Sequence, residues 1–474
     1  MNLLKTVFLF ELRMLRRQRL VLCLIAFFFL TGLYSIYYGH HFTERQLMAI
    51  DSLEQTYQKK FKEIAASFTA DTTTVDGKLN FAQAGIPSVI EYRNPLNAIH
   101  RPANLMSLAV GQRDLLPYYD VITRRRNTVQ GPNAEIANPE MLAAGHFDLA
   151  YVIIYLLPLL AIALSYNTWS KEKEQQTDRL LAVQGMHFKR IIFYKLSFRF
   201  LLVILLAWLL SAIGIVSDVF LSSFNLTASI FWLFTVTAYL LFWFSICLLL
   251  IRLGQSSAVN ALYLLAAWCF FLIVLPAITN AFVRQSYPIP LKTDEAVALR
   301  ENSEAIWAMP KQKLIDTFYL NNPKFQNLKT AADTSENSTV RFVAYYDLLG
   351  RKMTNAIETY NLYPQKQNVI SANLSWINPA IKTQYLLNSI AETGLADYLS
   401  YQNQVNRFQK TWVDFMTEYI IHNKNLSLSD LHHLPKFEML PTPDKIKNIV
   451  IGILGLLIIS TSILLLATKI KSEL

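Results

Sequence analysis

Three cysteines among 474 residues are too few for a disulfide framework. Cys23, Cys247 and Cys269 all lie inside apolar runs, where a thiol behaves as a small hydrophobe. Neither disulfides nor a cysteine metal site is expected. Charge is also scarce. Only 16% of residues are Asp, Glu, Lys or Arg, and none occupies the middle of a long apolar run. Ion-coupled carriers use an ionisable group at membrane depth, so this pattern disfavours a proton- or sodium-driven carrier. Missing motifs exclude more. Without G-x-x-x-x-G-K-[ST] the chain has no P-loop for ATP hydrolysis. Without H-E-x-x-H, C-x-x-C or G-x-S-x-G, metalloprotease, thiol-redox and lipase-like readings lack support. No catalytic residue, cofactor or metal site is assigned. The adjacent pairs His40, His41 and His432, His433 read as solvated loop positions before they read as ligands.

What the chain does have is apolar sequence in blocks, with 53% hydrophobic residues. Crossing roughly 30 Å of hydrocarbon takes about 20 residues. Six runs qualify: Leu20 to Tyr38, Leu149 to Ser165, Phe200 to Ser217, Ile230 to Ile251, Val259 to Phe282 and Ile449 to Thr468. The first is too long for a signal core and no small-x-small site follows it, so it reads as a retained span. The expected fold class is an α-helical integral membrane protein with six transmembrane helices, both termini inside, and a large, mainly helical extracytoplasmic domain built from two insertions.

The charge distribution orients this plan. Fifteen of the 44 Lys and Arg, but only five of the 34 acids, fall in segments assigned to the cytosol, the positive-inside pattern. Membrane orientation accounts for the basic balance, and no nucleic-acid partner is inferred. The segments are an interfacial helix (1–19), the first span (20–38), outer segment one (39–148), the second span (149–166), a cytosolic loop (167–198), spans three to five (199–282), outer segment two (283–447), the sixth span (448–468) and a cytosolic tail (469–474). The outer segments, tethered to the bilayer at both ends, are expected to form one composite domain.

Residues 2–15 place Leu4, Phe8, Leu12 and Leu15 at helical spacing, with Lys5, Arg13, Arg16 and Arg17 around them. That is the pattern of a helix lying in the membrane interface. Two apolar stripes, Leu47 to Phe68 and Leu395 to Tyr419, predict long amphipathic helices packed on other helices. "DTTTVDGKLN" (Asp71 to Asn80), "GPNAEIANPE" (Gly131 to Glu140) and "TAADTSENST" (Thr330 to Thr339) read as loops. Within the spans, Trp232, Tyr239, Trp243, Asn260 and Tyr263 are candidates to line a pathway, though helix contacts and interfacial belts explain them equally. The cytosolic loop begins as a dense charged helix, with Glu172 and Glu174 beside Lys171, Lys173 and Arg179, breaks near Gly185, and resumes into the third span.

In combination, "LAVGQRDLLPYY" (Leu108 to Tyr119), "FDLAYVIIYLLPLLAIALSYNTWSKEKEQQT" (Phe147 to Thr177) and "QVNRFQKTWVDF" (Gln404 to Phe415) resemble a permease subunit of ATP-binding cassette (ABC) transporters of the type-2 export class. The resemblance extends to a subgroup with a large extracytoplasmic domain of undefined role. It implies a coupling helix between spans two and three, an ABC ATPase subunit carrying ATP and Mg, a second permease (itself or a sister permease), surrounding membrane lipid, and a bacterial inner membrane. Carried over by position, Glu172, Glu174, Thr177 and Arg179 become coupling residues. One departure matters: the family often has Gly just before Thr177, where this chain has Gln176. The outer signature Gly111, Gln112, Arg113, Asp114 and Pro117 is similar to the family's, and Arg113 is expected to pair with Asp114 to fix a turn. The implied function is export driven by a separate ATPase. The alternative is a scaffold whose outer domain the ATPase moves without substrate crossing the spans.

The orientation is checked with a reporter active only outside the cytosol. Activity is expected when it is inserted among Thr330 to Thr339 and not when it is fused after Leu474; the reverse pattern would invert the topology.

Overall fold

The structure is a computed structural model described for residues 3–124, 147–177, 188–253, 255–288, 292–335, 338–442 and 444–469. The Gly131 to Glu140 loop and the expected break near Gly185 lie outside the described residues. Among the described residues six helices are long and apolar enough to cross a membrane: Arg19–Ser67, Leu149–Glu174, Arg190–Val219, Leu226–Ile251, Ser257–Ser286 and Lys445–Lys469. They are those of a multi-pass membrane protein and are named here the first to sixth spans. The N-terminal helix Leu3–Arg17 is a separate element, ended by Gln18, whose backbone leaves the helical region. Its exposed Arg16 and Arg17 mark the basic end of the bundle; the opposite end carries the large domain.

The first span does not stop at Tyr38. It runs as one unbroken helix through Ser67, because residues 39–67 contain no proline and carry their own apolar stripe in register with the span. Within that stretch Ile50 and Ile64 are buried. "DTTTVDGKLN" corrects another expectation. Thr74 Oγ1 accepts the Gly77 N–H at 3.1 Å and starts the helix Val75–Ala84, so what reads as breaker-rich loop is an N-cap followed by a helix.

The segment that follows the first apolar run and the segment between the fifth and sixth spans share one core. Ile64, Ile90, Leu96, Ala98 and Ile122 from the first interlock with Tyr401, Val405, Trp412 and Met416 from the second. A short antiparallel pair, β1 (Leu96–Ile99) and β2 (Tyr119–Ile122), lies against the helix Leu395–Ile421. Several polar groups inside this core are matched. Glu91, buried, takes a hydrogen bond from Trp412 Nε1 at 3.0 Å and an ion pair from Arg124 at 3.0 Å. Tyr401 OH donates to the Ala98 carbonyl at 2.9 Å. A second core gathers Leu314, Ile315, Phe318 and Tyr319 against Val343 and Leu349 of the helix Thr339–Leu374.

After that helix the chain dips back into the bundle. A turn at Ser375–Ile377 leads to the helix Pro379–Ile390, capped by Asn378, whose Ala380, Leu386, Leu387 and Ile390 belong to the same core as the spans. At twelve residues with a lysine and a glutamine it carries no span signal, so hydropathy misses it. It seats on glycines of the sixth span. A Cβ on Gly455 would stand 2.0 Å from the Trp376 ring, and one on Gly452 would stand 2.5 Å from Leu386; small residues let the helices approach.

Two spans widen where proline removes a backbone donor. Five-residue π turns, Val152–Leu156 and Phe270–Val274, precede Pro158 and Pro276. Other elements supply donors to the carbonyls there. Tyr239 OH reaches Ile154 O at 2.8 Å, Trp268 Nε1 reaches Tyr155 O at 3.0 Å, and Asn378 Nδ2 reaches Phe271 O at 2.6 Å. In hydrocarbon an unmatched carbonyl is costly, so these contacts fix the dipping helix and both π turns to each other.

Gly455→Leu should push Trp376 off the sixth span and cost about 1–3 kcal/mol, as overpacking does. A lowered melting temperature of the purified protein would show it; an unchanged one would contradict the seating.

Candidate functional site

The basic end is held together by buried charge. Glu11 of the N-terminal helix is only 4% exposed. Its Oε2 accepts from Arg199 Nε at 3.1 Å, and its Oε1 lies 3.8 Å from Lys195 Nζ. Lys195 also reaches Glu172 at 2.5 Å, and Arg199 donates to Leu164 O, Asn167 Oδ1 and Thr168 Oγ1 at 2.5, 3.2 and 2.9 Å. Two acids and two bases therefore join the N-terminal helix, the third span, the end of the second span and the loop after it.

The short helix Ser170–Glu174, called the loop helix, closes the second span and leads into that loop, and its contacts sort the expected coupling residues. Glu172 turns inward to Lys195 and to Thr177 Oγ1 at 2.5 Å. Glu174 accepts from Ser257 N and Oγ at 2.8 and 3.1 Å, at the first turn of the fifth span, and Ser170 Oγ lies 2.7 Å from Ser257 Oγ. Lys173, Gln175 and Gln176 are exposed and Lys171 is half-buried. Arg179 lies outside the described residues. Gln176 sits at φ +55°, the left-handed region where glycine is at ease and other residues are strained. The departure from glycine thus falls on the position that turns the chain.

The N-terminal helix is more tilted in its burial than its apolar stripe suggests. Val7 and Glu11 face the bundle while Leu4, Leu9 and Phe10 are exposed; Phe8 meets Phe198 edge-on at 5.3 Å. Lys5, Arg13, Arg16 and Arg17 are all exposed. Glu11 is the functional candidate that sequence reasoning passed over, and its signal was available as the lone acid within residues 1–19.

At the domain end, residues 105–110 form a wholly buried loop. Asp218 of the third span accepts from Leu105 N at 2.7 Å and Ser107 Oγ at 2.6 Å, and Asp148 accepts from Val110 N at 2.8 Å. Gly111 follows at φ +57° with Thr393 so close that a Cβ would clash. Gln112 N donates to Thr393 O at 3.1 Å, and Pro117 closes the segment before β2. Arg113 does not pair with Asp114. Its guanidinium is buried and donates to Gln46 Oε1 at 3.1 Å and to the Nδ1 and carbonyl oxygen of His100, because the turn at Gly111 points it into the domain core. Desolvation, with Arg113 adjacent, drives the His100 pKa down to about 3, so His100 stays neutral.

Nearby, Lys445 at the start of the sixth span bridges Glu392 at 2.7 Å and Asp397 at 4.0 Å. Burial raises the Asp397 pKa to about 6 despite the lysine. A carboxyl whose pKa is higher folded than unfolded contributes stability that is complete below its unfolded value and lost as pH rises through about 6. Asp397 also borders a cavity of about 400 Å³ where both π turns, the dipping helix and Gln112 meet.

Of the pathway candidates, Trp232, Tyr239, Trp243 and Asn260 are fully buried and Tyr263 is 45% exposed. Trp232 Nε1 donates to Ser211 Oγ at 3.1 Å and Tyr239 braces the first π turn, so within one chain these two hold helices together. The cavity lies elsewhere.

Fold and sites define a helical multi-pass membrane protein with a composite domain at one end and a charged junction at the other. Residues 293–439 match the family described as a domain of unknown function (DUF3526), which covers most of the stretch between the fifth and sixth spans. Neither the curated proteins nor the solved structures give a match.

Glu11→Ala would leave Lys195 and Arg199 short of a buried partner and should cost about 3 kcal/mol, seen as a lower melting temperature; no change would mean the acid is not buried with them. Gln176→Gly should instead raise stability, because glycine at positive φ avoids a left-handed cost of roughly 1–2 kcal/mol that exceeds the roughly 0.4–1 kcal/mol of chain entropy it adds to the unfolded state. Asp397→Asn should flatten the part of the melting-temperature profile that falls as pH rises from 5 to 7; an unaltered profile would contradict the raised pKa.

Proposed function

We propose that this chain is the transmembrane permease subunit of an ATP-driven exporter of the ABC type-2 class, in a bacterial inner membrane with its basic end in the cytosol. ATP and Mg would be handled by a separate ABC ATPase subunit, and a second permease, identical or sister, would complete the complex. The observation that carries the reading is the double brace on the Ser170–Glu174 helix: Glu172 to Lys195 of the third span and Glu174 to Ser257 of the fifth. A loop helix that is to move spans has to be fixed to them and still present a face to its driver. Lys173, Gln175 and Gln176 are that face, while Glu172 and Glu174 act as linkage and not as docking groups. Charge on an exposed helix of this kind steers a partner more than it binds one.

A second reading, mechanical work on the outer domain without passage of a substrate, is favoured by one feature. The first span continues into the domain as a single 49-residue helix, so tilting it would move the domain directly.

The test is reconstitution with the cognate ATPase. Lys173→Glu with Gln175→Glu should reduce ATPase retention on the purified permease, whereas Glu172→Gln should retain the ATPase and lose the permease's effect on hydrolysis. Full retention and full stimulation in both variants would contradict the assignment. Among intact complexes, domain motion on ATP binding without movement of any solute would select the mechanical reading.

A further inference from the structure

The 400 Å³ cavity has two facing walls graded in the same direction. On the fifth span, Leu272 and Pro276 give way to Asn280 and then to Arg284, one helical face over roughly 18 Å at 1.5 Å per residue. On the dipping helix, Ala380 and Ile381 give way to Gln384 and then to Asn388. The two gradients are in register, since Asn378, just before Ala380, is bonded to Phe271 O at 2.6 Å, just before Leu272. Both helices rise from there toward the domain end. The result is a slot that is apolar at its deep end, rich in carboxamides in the middle and bordered at the domain end by Arg284 and by Asp397, whose carboxylate faces Lys445 at 4.0 Å. Its graded length is close to one leaflet, about half of a 30 Å hydrocarbon core.

This order of chemistries is that of a glycerophospholipid standing in the leaflet on the domain side. Acyl carbons would lie against Leu272, Pro276 and Ile381, ester oxygens within reach of the Asn280 amide, and the phosphate at Arg284. Among the described residues Asn280 and Arg284 have no side-chain partner, whereas Gln384 and Asn388 bond each other at 3.0 Å. Arg284 is exposed at the last turn of its span, where a guanidinium can pair with a phosphate by two parallel hydrogen bonds. We propose that this slot binds an anionic phospholipid of the surrounding bilayer. The site is independent of the ATPase and of the transport reading, because its test uses the permease chain alone.

The experiment is native mass spectrometry of delipidated protein in a neutral detergent, titrated with phosphatidylglycerol, phosphatidylcholine or glycerol 3-phosphate. Phosphatidylglycerol should be retained preferentially. Arg284→Gln should weaken that retention roughly tenfold, as loss of a charge-assisted contact does, and Ile381→Trp should block it by filling the deep end. Arg300→Gln, which removes the same charge from an exposed helix of the domain, should leave it intact and so controls for net charge. Equal retention of phosphatidylcholine, equal binding of glycerol 3-phosphate, or an undiminished Arg284→Gln variant would each overturn the proposal.

Discussion

Glu11, Glu172, Lys195 and Arg199 form the junction on which the rest of the structure depends. Two acids and two bases meet where the N-terminal helix, the second and third spans and the loop helix converge. Taking charges out of water is expensive, and a pair of opposite charges in a low-dielectric site offsets the cost only when both partners are in place. The arrangement is therefore all or none. It holds the loop helix in one position relative to the spans, which any scheme of transmitted motion requires.

The domain end uses a different principle. There the chain folds irregular backbone into the bundle and satisfies it group by group. Asp218 and Asp148 accept amides of residues 105–110, and Tyr239, Trp268 and Asn378 reach carbonyls in the two π turns. Each of these side chains comes from a different element than the backbone it satisfies. Span and domain are consequently one packed unit, and a displacement of the fifth or sixth span reaches the dipping helix through Asn378, Trp376 and Leu386.

How much of this was legible in the sequence follows from the range of each signal. Spans are local and composition-driven, so hydropathy found six of them, within a few residues at most ends. The composite domain followed from tethering and from stripes such as Tyr398, Val405 and Trp412, whose spacing repeats along one helix face. The dipping helix was not legible, because Pro379–Ile390 is short, partly polar and defined by partners more than 60 positions away in the sixth span. Nor was the 49-residue first helix, whose membrane and aqueous parts differ in composition while the backbone continues. For the candidate site, the loop helix and its charges were readable, but the direction of each side chain was not: Glu172 turns inward to Lys195 and the exposed Glu174 reaches across to Ser257, partners that only the tertiary structure brings near. Gln176 is the instructive case: the sequence showed only a departure from glycine and left the local geometry open, and the structure places the residue at φ +55°.

On the proposed reading the loop helix and the spans move as one body. Distances between spin labels at Lys173→Cys and Leu262→Cys, both exposed positions, in a Cys23→Ser background and with the proposed ATPase partner, test it most directly. With and without nucleotide the within-chain distance should stay narrow and unchanged, while the distance between the two loop helices of the proposed permease pair shifts. A within-chain distance that shifts or broadens when nucleotide binds would contradict it.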